Sequence, residues 1–336
     1  MDLRRLIIEK KVVIVLDPTM GIGSADDFYS KYGSSLEQVA IVAKPPSGKV
    51  YYPSKFAHED EKYKDFFSSF ASLGTQLGID IYAVINTFAD TTFGKDPYYK
   101  TFNTEGDAFS SYVCPNQEAF WDYLGAISQE VIDMEIQGII LTGLSYVRRD
   151  FCACKKCKTE FSKRVGINEH FTFDNISASR EILEEWKKWR VSKLTSALER
   201  ISNKIWEVRK DAYIIPTIYI DSETKFKEGA ELEFGQDPLA FSDITGNIAV
   251  HINPWSPILP DTDSDEYAKL VDNLMFTKEV YSHGYPFSLF FWGSVDERDI
   301  AILSKIADDI NASTVYISPT YPDQYYQWRE VHLGLV

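Results

Sequence analysis

Eight short, almost continuous apolar runs, rich in Val and Ile, are spread along the whole chain, with amphipathic stretches between them. They are Val12 to Asp17, Val39 to Ala43, Ile79 to Asn86, Gly138 to Thr142, Tyr213 to Ile220, Ile248 to Ile252, Pro286 to Trp292 and Thr314 to Ser318. A strand that is apolar at consecutive positions has both faces buried, which is the condition of a parallel sheet covered by helices. The helices come from the intervening segments His58 to Leu77, Gln117 to Glu135, Ser179 to Lys210, Asp265 to His283 and Val295 to Asp309. In the longest of these, Trp186, Trp189, Leu194, Leu198, Ile201 and Ile205 recur at helical spacing. Eight strands with helical crossovers predict an α/β chain folded as a (β/α)8 TIM barrel, with residues 1–336 as a single domain. The alternative is a doubly wound open sheet, which a phosphate loop after the first strand would favour. Asp17 to Ser24 contains Gly21-Ile22-Gly23 but lacks the third glycine and the lysine of such loops. Lys44 to Pro53 reads as a turn or hairpin excursion after the second strand.

Composition narrows the function. A net charge of −15 and a pI near 4.8 argue against a nucleic-acid surface, which needs a basic stripe, and fit an acidic solubilising coat. No stretch approaches the length of a membrane span, and the apolar run near the start, Leu6-Ile7-Ile8, is far short of a signal-peptide core. The expectation is a cytoplasmic protein with reduced thiols. The 21 Phe, 20 Tyr and 7 Trp are mostly core, although Tyr and Trp are also what a sugar-binding cleft uses to stack on pyranose faces. Oligomeric state is not written in the chain.

All four cysteines fit one site. Cys152-Ala153-Cys154-Lys155-Lys156-Cys157 follows the fourth strand, and Cys114 lies in the loop after the third. Those two loops are neighbours in a barrel. Cys-x-Cys-x2-Cys can set three thiolates on a turn entering the helix predicted over Lys158 to Val165, whose dipole favours anionic sulfur. Four thiolates match a closed, structural zinc site. The other readings are an iron–sulfur cluster, buried free thiols, or disulfides, which are strained within Cys-x-Cys.

The same residues carry a resemblance. In glycoside hydrolase family 42 β-galactosidases, the loop after the barrel's fourth strand bears Cys-x-Cys-x2-Cys and binds zinc with an upstream cysteine. Cys114, Cys152, Cys154 and Cys157 are similar to that set. Gly138-Ile139-Ile140-Leu141, Tyr146-Val147-Arg148 and Cys114-Pro115-Asn116 also resemble segments of broader glycoside-hydrolase-like barrels. The resemblance covers roughly residues 112–166 and implies a barrel, a structural zinc and a carbohydrate ligand. The chain departs from it at the chemistry. The family 42 acid/base is a Glu after Asn at the end of strand four, where this chain has Thr142-Gly143. The family nucleophile is a Glu at the end of strand seven, where this chain reads Phe291-Trp292-Gly293-Ser294, with Asp296 and Glu297 just beyond.

Barrel active sites lie at the C-terminal ends of the strands. Glycoside hydrolysis needs two carboxyl groups, about 5–5.5 Å apart for retention and about 6.5–9.5 Å for inversion. The leading pair is Asp221 or Glu223 as acid with Asp17 or Asp296 as the second carboxylate. Asp17 and Asp296 also read as helix caps. Asn86, Tyr146, Arg148, Asn253, Trp255 and Trp292 are the expected substrate-binding residues, and each tryptophan could equally be rim packing. Five histidines, of which only His251 reads as lying on a strand, make a metal hydrolase a poor fit. No Gly-x-Ser-x-Gly elbow supports a serine hydrolase. Two functions remain open: a glycosidase-like enzyme, or a degenerate barrel that binds a glycan or a protein partner without chemistry.

Overall fold

The computed structural model describes residues 12–220, 229–252, 259–292 and 297–318. The strands of the barrel are β1 (Val12–Leu16), β2 (Gln38–Lys44), β3 (Asp80–Asn86), β6 (Gly138–Thr142), β7 (Tyr213–Ile220), β8 (Ile248–Ile252), β9 (Phe287–Trp292) and β10 (Val315–Ser318). Between β3 and β6 lies an antiparallel hairpin, β4 (Lys100–Phe102) with β5 (Ala108–Val113). The barrel closes in the order β1-β10-β9-β8-β7-β6-β3-β2, and β1 pairs back onto β2 with every barrel pairing parallel. All eight predicted runs are therefore barrel strands, and the open sheet is ruled out.

The helices are α1 (Ala25–Tyr32), α2 (Phe66–Gln76), α3 (Glu118–Ile132), α4 (Lys155–Val165), α5 (Phe173–Ser177), α6 (Arg180–Val208), α7 (Pro238–Thr245), α8 (Asp265–Tyr281) and α9 (Glu297–Asp309). Local chemistry starts them. The side chains of Ser24, Ser179, Asp237 and Ser264 accept from backbone N–H groups in the first turns of α1, α6, α7 and α8. Helix α2 begins later than the periodicity predicts, because Asp60 caps the Lys62 amide at 3.0 Å and holds the preceding residues in turns. Among the described residues no helix is long and apolar enough to cross a membrane.

The inward face follows from register. Tyr82 and Tyr316 lie on strands that are not neighbours, yet their rings are 6.3 Å apart, so both point into the lumen. Tyr316 pairs with Val13 and Phe290, Phe290 with His251, and His251 with Tyr219. Side chains alternate along a strand, so the next inward positions toward the C-terminal ends are Asn86, Thr142, Trp292 and Ser318, with Asp17 just past β1. Tyr219 and His251 complete this upper layer. The loop after β2 is fixed from below: Lys44 Nζ lies 2.9 Å from an Asp90 carboxylate oxygen, both side chains fully buried. Lys44 also donates to the Asn86 carbonyl at 2.8 Å, and Asp90 accepts from the amides of Thr92 and Phe93. Position 48 must be glycine: its φ is +83°, and a Cβ would come within 2.2 Å of Asp90 Oδ1.

Candidate functional site

The four cysteines converge as predicted. Their Sγ atoms all lie within 4.8 Å of one another. Cys114 is 3.8 Å from Cys154 and 3.5 Å from Cys157, and Cys154 is 3.4 Å from Cys157. A tetrahedral metal with sulfur bonds of about 2.3 Å needs sulfur–sulfur edges of about 3.8 Å, so the donor set fits such an ion. None of the four is in a disulfide. Burial pushes the Cys114 and Cys157 thiols well above the ordinary cysteine range, while hydrogen bonds from the other three thiols hold Cys154 far below it. A divalent cation would let all four ionise together.

The surrounding elements explain the convergence. Cys154 is the N-cap of α4 and Cys157 lies in its first turn, so the helix end faces the sulfurs. The hairpin brings Cys114 across, with the Cys114 amide donating to the Tyr99 carbonyl at 2.7 Å and the Ala153 amide to Phe102 at 2.7 Å. Lys156 reaches the Asn116 carbonyl at 2.8 Å, and Lys158 the Thr104 carbonyl at 2.6 Å.

A chain of contacts runs from the sulfurs toward the barrel. Asn116 Nδ2 donates to Cys157 Sγ at 3.0 Å, and its Oδ1 accepts a short hydrogen bond from the Tyr146 hydroxyl. The Tyr146 ring carries the Arg190 guanidinium 4.3 Å from its centroid. Arg190, fully buried on α6, donates to the carbonyls of Arg148, Leu232 and Glu233. One network thus ties the cysteine loop to the segments that follow β6 and β7.

The second constellation is the barrel mouth. Asp17, Asn86, Thr142, Tyr219, His251, Trp292 and Ser318 form its upper inward layer, and all are buried. The His251 ring meets Trp292 edge-on at 3.9 Å and packs against Tyr219 and Phe290 at 5.3 and 5.2 Å. Burial lowers its pKa to about 3, so the imidazole is neutral. Among the described residues neither of its ring nitrogens has a hydrogen-bond partner, and Asn86 Oδ1 has none either.

The predicted site residues fall into three groups. Asp17, Asn86 and Trp292 stand in the mouth layer. Asp17 does act as a cap, accepting from the Thr19 amide at 2.9 Å and the Thr19 hydroxyl at 2.5 Å. Tyr146 and Arg148 are engaged beside the cysteine centre: the Tyr146 hydroxyl is held by Asn116, and Arg148 makes a bidentate pair with Asp150 at 2.7 and 2.8 Å. Asp221, Glu223, Asn253, Trp255 and Asp296 lie outside the described residues.

Sequence reasoning missed three residues of interest. His251 was visible as a polar residue in an apolar strand. Arg190 gave no signal, because its spacing on α6 is that of any helical arginine. Glu233 lies in a single π-helical turn, Ala230–Phe234. Burial raises its carboxyl above the ordinary range, against the pull of Arg149 and Arg190.

At the strand-four position of the expected acid, Gly143 has a φ of +68°, and a Cβ there would lie 2.7 Å from Asn86 Oδ1. A side chain at 143 would therefore require both a left-handed backbone and a shift of the Asn86 side chain.

No family model matches the sequence, and no curated protein matches it. Among solved structures the chain is similar to the PgaB (BpsB) glycoside hydrolase domain from Bordetella bronchiseptica. That likeness has 12% identity and a TM-score of 0.68, over 94% of this chain and 95% of that one. It is similar to the catalytic domain of a β-amylase from Paenibacillus polymyxa, at 12% identity and a TM-score of 0.62, over 95% of this chain and 98% of that one. A β-galactosidase from Bacillus circulans sp. alkalophilus matches at 13% identity and a TM-score of 0.62 over 92% of this chain, which spans half (50%) of that one. Identities this low speak for the fold alone, and the fold is a (β/α)8 barrel that these glycoside hydrolases share.

Proposed function

We propose that this chain binds a carbohydrate at the C-terminal mouth of the barrel and acts on its glycosidic bond, with a structural zinc in the cysteine tetrad. The observation that carries the reading is the mouth layer: Asp17, Asn86, Thr142, Tyr219, His251, Trp292 and Ser318 line the end of the barrel where such folds place their sites. Trp292 supplies the ring for stacking, with Trp255 as a second, and Asn86 and Asn253 supply polar contacts. Tyr146 and Arg148 hold the loop beside the ligand. The acid is Asp221 or Glu223, and Asp17 or Asp296 is the second carboxylate. The acid protonates the leaving oxygen, and the second group attacks the sugar or activates water. Zinc would be held by Cys114, Cys152, Cys154 and Cys157 and would fix the loops after the third and fourth barrel strands. The names of the similar structures suggest β-galactosides and α-glucans as first substrates to try.

One observation favours a second reading. The glycine at 143, where the strand-four acid would stand, with its left-handed φ of +68°, fits a barrel that binds a glycan without cleaving it. Asp17→Asn, Asp221→Asn, Glu223→Gln and Asp296→Asn, assayed singly against that panel, separate the two. Loss of turnover in two of the four supports the enzyme. Turnover that survives in all four contradicts the carboxylate assignment, and saturable binding with no product supports the second reading.

A further inference from the structure

His251 is the polar group that packing does not explain. It sits one residue before the C-terminal end of β8, fully buried, between Tyr219, Phe290 and Trp292. A phenylalanine would fill the same space without burying two ring nitrogens that no described residue satisfies. Leaving such atoms unpaired is costly, so an imidazole here needs a further reason. Asn86 poses the same question from β3, with its Oδ1 buried and unpartnered in the same layer.

The chemistry of these atoms defines what would satisfy them. A neutral imidazole offers one donor and one acceptor, and Asn86 Oδ1 accepts. A hydroxyl both donates and accepts, so adjacent hydroxyls on one ring match this set. Charge argues in the same direction. The imidazole is uncharged, and Lys44, the cation nearest Asn86, is neutralised by Asp90. Nothing described in this layer would compensate an anionic sugar, and the chain itself carries −15.

Resting on the carbohydrate reading above, we infer that His251, beside the ring of Trp292, forms the floor of the sugar subsite and binds hydroxyls of a neutral pyranose in preference to an anionic one. His251 then contacts the ligand as a fixed hydrogen-bonding group, and it takes no proton from the substrate.

The test is proton–nitrogen correlation spectroscopy of the histidine rings and tryptophan indoles of the full chain, with His251→Gln and Trp292→Phe used for assignment. The protein is titrated with galactose and glucose, and separately with galacturonate and glucuronate. The inference predicts that a neutral hexose shifts both the Trp292 indole and the His251 ring nitrogens, and that the uronates do so more weakly. In His251→Phe the neutral hexose should bind about tenfold more weakly by the Trp292 signal, while the melting temperature at neutral pH stays level or rises. A Trp292 shift with no His251 shift overturns the inference and leaves the carbohydrate reading standing. Stronger binding of the uronates also overturns it. No Trp292 shift with any sugar removes the carbohydrate reading, and this inference with it. A His251→Phe chain that melts lower and binds hexose as well as wild type assigns the histidine to packing.

Discussion

Gly143 and Asn86 show how one backbone position can settle what a site is able to hold. A φ of +68° already disfavours any side chain at 143, and its Cβ would lie 2.7 Å from Asn86 Oδ1, which would have to shift. Gly143→Ala should therefore cost about 2 kcal/mol in chemical denaturation, and Gly143→Glu should cost more without creating an acid. A Gly143→Ala protein as stable as wild type would mean that the Asn86 side chain can rotate away. The sequence displays the glycine but not its reason, since Asn86 is more than fifty positions upstream and enters only through β3–β6 pairing. Arg190 was hidden in the same way. Its two terminal guanidinium nitrogens donate to carbonyls from two segments that are remote from α6 in the chain.

At the scale of elements, the cysteine loop, the hairpin and α4 behave as one unit built around the sulfurs. The hairpin was not legible in the sequence. β4 is three residues long, and β5 is broken by Ser110 and Ser111, so neither has the apolar run that marks the barrel strands. Helices α1 and α7, of eight residues each, were missed because two turns are too short for a periodic pattern to stand out. The Asn116–Tyr146–Arg190 chain couples this unit to the segments after β6 and β7. Tyr146→Phe removes the donor to Asn116 Oδ1 and should cost about 1–3 kcal/mol while the tetrad keeps its metal. In hydrogen exchange, protection should fall in residues 144–151 and 230–236 and hold in the barrel strands. Unchanged exchange in both segments would show that the contacts do not transmit.

At the scale of the molecule, the eight strands and the tetrad could be read from the sequence because both rest on residue type and spacing alone. Of the mouth, Asp17, Asn86 and Trp292 could be read as strand-end residues, whereas Thr142, Tyr219, His251 and Ser318 join them only when the barrel closes. Its buried histidine also sets a pH dependence. In the unfolded chain His251 takes a proton near 6.5, in the folded chain only near 3. Between these values the unfolded state binds more protons, so stability falls as pH falls, by about 1.4 kcal/mol per pH unit and about 5 kcal/mol over the window. Above pH 6.5 this contribution is flat. His251→Phe should lose this acid sensitivity, which denaturation midpoints across the window will show. An equal acid slope in the variant would assign the effect to other groups.

The central claim is that four buried thiols form a metal centre that fixes the mouth of the (β/α)8 barrel. X-ray absorption at the metal edge of the purified protein tests it most directly. The account predicts about one zinc per chain with four sulfur neighbours at about 2.3 Å, and Cys154→Ser should lose the ion together with about 4 kcal/mol or more of stability. A metal-free protein with four reduced thiols, whose Cys154→Ser variant melts like wild type, would contradict it.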